Sequence, residues 1–125
     1  MNHVLAIAAG GAIGAVLRYG VIQGVQQIAG KGFPFGTLVA NVLGSLLIGV
    51  LAILLLEKWQ ASTELRAFLT IGILGAFTTF STFSMETVTL LQSGAHIKAL
   101  SNIGLSVVLC LAGTWLGITV AKQFV

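Results

Sequence analysis

Four apolar runs, each long enough to cross a bilayer, constrain this chain more than any motif does. They cover about residues 4–28, 36–56, 65–91 and 97–121. A transmembrane helix needs roughly 20 mostly apolar residues, and every run meets that length. Four spans in 125 residues leave about 31 residues per helix and connection, too few for a fifth. Charge is scarce in the same sense: 7% of residues are charged, against about 25% in a soluble domain. Such a chain cannot cover a globular surface with charge. The expected fold is an all-α membrane protein, with residues 1–125 forming a single four-helix transmembrane domain.

The connections are short. Residues 29–34 end in Pro34, the only proline, at a helix start. Residues 57–64 form the one clearly polar loop, and its Ser62, Thr63 and Glu64 resemble a helix N-terminus. Residues 92–96 turn the chain into the last run. Loops this short make neighbouring helices antiparallel. The uninterrupted apolar stretch 4–17 has Arg18 behind it and no basic residue ahead, the reverse of a secretory signal, so the first run reads as a retained helix. Gly10 and Gly14, Gly20 and Gly24, and Gly113 and Gly117 have the spacing that lets helix backbones approach closely in lipid.

Orientation follows the Lys/Arg imbalance between the two sides. Lys58, Arg66 and Lys122 fall on one side, Lys31 and Lys98 on the other, and Arg18 lies inside a span. A difference of one is a weak instruction. Either the orientation is fixed by the N-terminal amine with Lys58 and Arg66, or the chain inserts both ways and pairs antiparallel.

Polar side chains inside spans are costly, so their positions carry information. Thr37, Asn41 and Ser45 recur every four residues along one face of the second helix. Asn102, Ser106, Cys110 and Thr114 do the same along the fourth. These stripes either bond helix to helix or line a path for water or ions. The third span is denser. Residues 75–84 read GAFTTFSTFS, with five hydroxyls in the seven positions 78–84. Hydroxyl side chains bond to backbone carbonyls and bend membrane helices. This stretch predicts a third helix broken mid-membrane, whose freed backbone groups need protein, water or ions as partners. Freed carbonyls can hold a cation such as Na⁺.

Phe80 and Phe83 are three apart and share a face if helical there. Their ring edges are electropositive, so the pair is either packed core or a lining for an anion. Glu86 is the only acid inside a span. It accepts bonds from hydroxyls, faces Arg18 or marks the interface. Arg18 either snorkels to the headgroups or guards an anion vestibule.

Several chemistries have no residues to carry them. No Lys/Arg run tracks a nucleic acid, no Walker loop binds a nucleotide, and no Cys/His cluster offers a side-chain metal site. His3 and His96 lie at span ends, away from any serine–acid pair, and Cys110 is the only cysteine. The polar residues favour passive binding or passage over covalent chemistry, so the chain does not read as an enzyme.

The run GAFTTFSTFS at 75–84 resembles the third-helix signature of the Fluc (CrcB) fluoride channels. GGAIGAVLRY at 10–19 resembles their first helix, and GTLVAN at 36–41 followed by Gly44 resembles their second. The order and spacing cover nearly the whole chain. The resemblance implies a multi-pass protein of the bacterial inner (plasma) membrane that passively exports fluoride. It implies an antiparallel, dual-topology homodimer with two pores. By the same resemblance Phe80 and Phe83 line the anion path and Asn41 donates its amide. Ser81, Thr82 and Glu86 belong to a polar track, and Thr37 and Arg18 lie toward the vestibule. Ser106 and Cys110 belong to the fourth-helix lining. Carbonyls of Gly75 and Thr78 from both subunits hold one structural Na⁺ on the dimer axis, and no organic cofactor is implied. The chain departs from the family pattern at Asn102, where members carry Tyr, and at Cys110, where they carry Ser.

Two rival readings share the architecture. Small multidrug exporters are also four-helix antiparallel dimers, but they exchange protons through an acid in the first helix, where this chain has Arg18. An accessory subunit without conduction would use the polar stripes only to hold its helices together.

Overall fold

A computed structural model describes residues 2–125. Four helices are long and apolar enough to cross a membrane: α1 (His3–Ala29), α2 (Phe35–Lys58), α3 (Thr63–Gln92) and α4 (His96–Lys122). No strand occurs among the described residues. The apolar runs 4–28, 36–56, 65–91 and 97–121 fall inside these helices, each of which extends one or two residues further at either end.

Local chemistry sets the ends. Asn2 caps α1 by accepting from the Leu5 amide at 2.8 Å. Gly30 takes a positive φ of 80° and lets the chain leave α1. Ser62 caps α3 by accepting from the Leu65 amide at 3.1 Å. Each cap satisfies an amide that the first helical turn leaves unpaired.

Two segments widen. The last turn of α2, Leu54–Lys58, is π-helical, and so is Ala67–Leu74 in α3. Beyond the wide segment α3 is α-helical over Gly75–Phe77. Thr78 and Thr79 are then extended, with ψ of 155° and 110°. The chain is α-helical again over Phe80–Gln92. Thus α3 has a first arm, an extended pair and a second arm.

Small residues set how the helices pack. Gly10 and Gly14 of α1 lie directly against the backbone of the first arm, at Phe68, Gly72 and Ile73. Gly49 of α2 and Gly117 of α4 each lie on the backbone of the facing helix. A β-carbon at any of these glycines would collide with a main-chain atom. Such contacts replace the hydrophobic effect, which cannot drive helix association in lipid. Gly20 and Gly24, at the same spacing, have open space beside them. The large apolar side chains Val16, Leu111 and Trp115 point outward, as lipid contact requires.

Candidate functional site

The extended pair is held from α2. The Asn41 carboxamide bonds to both backbone groups of Thr79. Its Oδ1 accepts from the Thr79 amide at 2.7 Å, and its Nδ2 donates to the Thr79 carbonyl at 3.1 Å. One side chain thereby supplies the two partners that a continuous helix would have given. Thr79 in turn caps the second arm. Its hydroxyl accepts from the Thr82 amide at 3.2 Å and bonds to the Thr82 hydroxyl at 3.0 Å. Ser81 lies 3.3 Å from the same hydroxyl.

The Thr79 amide is the group that would have closed a helical turn onto the Gly75 carbonyl. It is given to Asn41 instead, so Gly75 loses that partner. Thr78 stands outside the second arm, and its carbonyl has no place in that arm's ladder. Two backbone carbonyls of this segment are therefore left without a partner in the helical ladder. Carbonyl oxygens suit hard cations, and this donor set fits a small monovalent ion such as Na⁺. No group of three or more His, Cys, Asp or Glu suited to a metal occurs among the described residues.

A cavity of about 470 Å³ opens beside the extended pair. Asn41, Gly75, Thr78, Phe80, Phe83, Ser106 and Cys110 line it, together with Ser45, Thr70 and Thr79. The Phe80 and Phe83 rings stand 5.3 Å apart at 47°. Phe83 is buried at 9% exposure, whereas Phe80 is 78% exposed. The second arm begins here, and an α-helix carries partial positive charge at its N-terminus. The cavity therefore combines aromatic rings, a helix N-terminus and hydroxyl groups with no fixed cation among its lining residues.

The polar stripes divide between roles. On α2, Asn41 and Ser45 reach this cavity but Thr37 does not. Thr37 is buried beside Glu86, and its hydroxyl and Glu86 Oε1 both lack a completed hydrogen bond. Glu86 lines a second, smaller cavity of about 240 Å³ with Gln26, Lys31 and Thr89. On α4, Thr114 donates to the Ser45 carbonyl at 2.9 Å and so ties α4 to α2. Asn102 is buried and donates to the Thr87 hydroxyl at 3.0 Å. Ser106 and Cys110 are the α4 stripe residues that face the large cavity. Arg18, Ser81 and Thr82 line neither cavity.

Sequence reasoning passed over Thr70, Thr79 and Thr87. Thr79 was one hydroxyl among five, and its distinction is a partner 38 positions away. Thr70 shared no stripe. Thr87 is exposed as a partner only by its bond to α4.

Comparison with known proteins adds an independent line. Residues 5–118 match the family model described as CrcB-like protein, Camphor Resistance (CrcB). The chain is 51% identical over 122 residues to the fluoride-specific ion channel FluC of Hydrogenovibrio crunogenus, covering 98% of this chain and 92% of that one. It is 52% identical over 123 residues to the protein of the same name from Geobacter sulfurreducens, covering 98% and 99%. The protein of that name from Shewanella amazonensis is 53% identical over 117 residues, covering 94% of each chain.

Proposed function

The chain belongs to the CrcB-like family, and from the name its relatives share we infer that it is a fluoride-specific ion channel, a multi-pass membrane protein and not an enzyme. We propose that it conducts passively and lets F⁻ leave the cytoplasm across the bacterial inner membrane. Fluoride enters cells as neutral HF at acid pH and ionises inside. A membrane potential, negative inside, then drives the anion out, at about 2.3 kcal/mol per charge per 100 mV. No coupling machinery is required.

One observation carries the path: Phe80, Phe83, Asn41 and the start of the second arm meet in a single cavity. F⁻ is small and strongly hydrated, so its path must replace water with donors. Aromatic edges present positive charge, the arm's N-terminus adds to it, and hydroxyls of the lining add donors. In this reading the extended pair Thr78–Thr79 is a mid-membrane break in the third helix. Ser81 and Thr82 continue the polar track from its cap, and Ser106 and Cys110 complete the α4 wall. Thr37, Glu86 and Arg18 belong to the approach at the end of the bundle. The buried oxygens of Thr37 and Glu86, side by side, support a polar route there.

We further propose an antiparallel, dual-topology homodimer with two pores. The three-against-two charge count supports free orientation. The open glycine face at Gly20 and Gly24 and the exposed Phe80 support a partner chain. Carbonyls of Gly75 and Thr78 from two copies would hold one Na⁺, which neutralises the carbonyl ends that converge there and does not travel with the anion.

Growth of a fluoride-sensitive bacterium carrying this gene tests the reading. The wild-type protein is expected to restore growth in millimolar-range fluoride, and Phe80→Ile to abolish that rescue at equal membrane abundance. Unchanged growth with Phe80→Ile would assign the ring to packing.

A further inference from the structure

The second arm of α3 carries the Phe pair, yet it is lightly packed. Of its thirteen residues only Phe83 and Thr87 are buried. An arm packed so lightly within its own chain needs polar anchors to fix how far it turns about its own axis. Its first anchor is the Asn41 bond pair at Thr79. The second lies two turns further on. The Asn102 amide of α4 donates to the Thr87 hydroxyl at 3.0 Å, and that hydroxyl donates to the Phe83 carbonyl at 2.7 Å. Asn102 is 2% exposed and Thr87 6%, so neither partner has water as a substitute. Ser106, on the cavity wall, donates onward to Asn102 Oδ1 at 3.5 Å. The three bonds run in one direction: Ser106 to Asn102, Asn102 to Thr87, Thr87 to Phe83.

We propose that Thr87 and Asn102 are a positioning pair that fixes the rotation of the second arm, and with it the angle at which the Phe83 and Phe80 rings face the cavity. Neither touches the cavity. They act on the anion only through the groups that they position. The bond runs between the arm and the helix that forms the opposite wall, so it sets the width of the path as well as the ring angle. At other polar positions on the second arm, Ser84 and Thr89 bond back to their own helix and cannot anchor it to a neighbour. The bond from Asn102 to Thr87 ties the body of the second arm to α4, while Glu86 on the same arm lies beside Thr37 of α2.

This inference rests on the reading of Phe80 and Phe83 as the anion lining, and the test separates the two. Wild type, Thr87→Val, Thr87→Ser and Asn102→Leu are reconstituted in liposomes, and fluoride and chloride efflux are followed with ion-selective electrodes. Thr87→Val keeps the shape and loses the hydroxyl. It is expected to slow fluoride efflux about five- to tenfold, the scale of one net hydrogen bond, and to lower the fluoride-to-chloride ratio. Thr87→Ser is expected to restore both to within about twofold, because the hydroxyl is what matters. Asn102→Leu should match Thr87→Val, and the double variant should be no worse than either, since both remove one link. A wild type that releases no fluoride would sink the conduction reading itself. A conducting wild type with Thr87→Val equal to it in rate and selectivity would overturn the positioning pair.

A second readout does not depend on conduction. Protein labelled with 4-fluorophenylalanine gives a ¹⁹F signal for Phe83, assigned by its loss in Phe83→Ile. Thr87→Val is expected to broaden or split that signal, while Thr87→Ser leaves it single. If Thr87→Val does not fold, Asn102→Leu breaks the same bond from the other side. An unchanged signal in the folded variant would again overturn the proposal.

Discussion

The two arms of α3 are neighbours in sequence and opposites in how they are held. The first arm is apolar and lies on bare backbone. Gly10 and Gly14 of α1 bring main chain to main chain, and the wide turn Ala67–Leu74 fits into the space that their missing side chains leave. The second arm is hydroxyl-rich, buries two of thirteen residues and is tied down by carboxamides from α2 and α4. Close packing is rigid because any added atom meets backbone. Anchoring by a few hydrogen bonds leaves side chains free to line a cavity. The arm that carries Phe80, Phe83 and the N-terminus assigned to the anion in the proposed channel is the arm that is bonded rather than packed.

That contrast can be broken at either arm. The largest effect is expected from Gly14→Val, whose β-carbon would overlap the Ile73 main chain. It should cost about 3 kcal/mol or more, read as loss of a monodisperse peak in detergent. A stable Gly14→Val would remove the claim that backbone contact holds the first arm. Next comes Asn41→Leu, which strands the Thr79 amide and carbonyl. Leaving such groups unpaired costs about 1–3 kcal/mol, seen as a lower melting temperature while the first arm stays packed. A change as large as that of Gly14→Val would mean that the two arms are not held separately. The smallest effect is expected from Gly20→Ala, which has open space beside it and should fall within about 0.5 kcal/mol of wild type for the single chain. A larger loss would reveal a partner seated on that face.

Much of the architecture is legible in the sequence because lipid punishes unpaired backbone so heavily. Each apolar run had one available structure, and Pro34 and Ser62 marked the starts of the second and third, whereas the Asn2 cap and the Gly30 exit of α1 emerged only in the structure. The glycine pairs were less informative. Gly10/Gly14 and Gly20/Gly24 have identical spacing, and only the position of the neighbouring helix separates a packed face from an open one. The polar stripes likewise looked uniform. Thr37, Asn41 and Ser45 share a helix face, yet they meet different neighbours at different depths. The widened turns have no signal in periodicity, since one extra residue per turn is smaller than the scatter of an apolar stripe. The role of Thr79 needed the partner 38 residues away. Site residues were legible as a set of types, and their division of labour required the fold.

In the proposed channel this cavity passes fluoride and rejects chloride. The most direct test is a planar bilayer holding the purified protein, with fluoride on one side and chloride on the other. The expected current reverses near the potential of a fluoride-selective membrane. A folded protein that carries no current, or one whose current reverses near the chloride value, would contradict it.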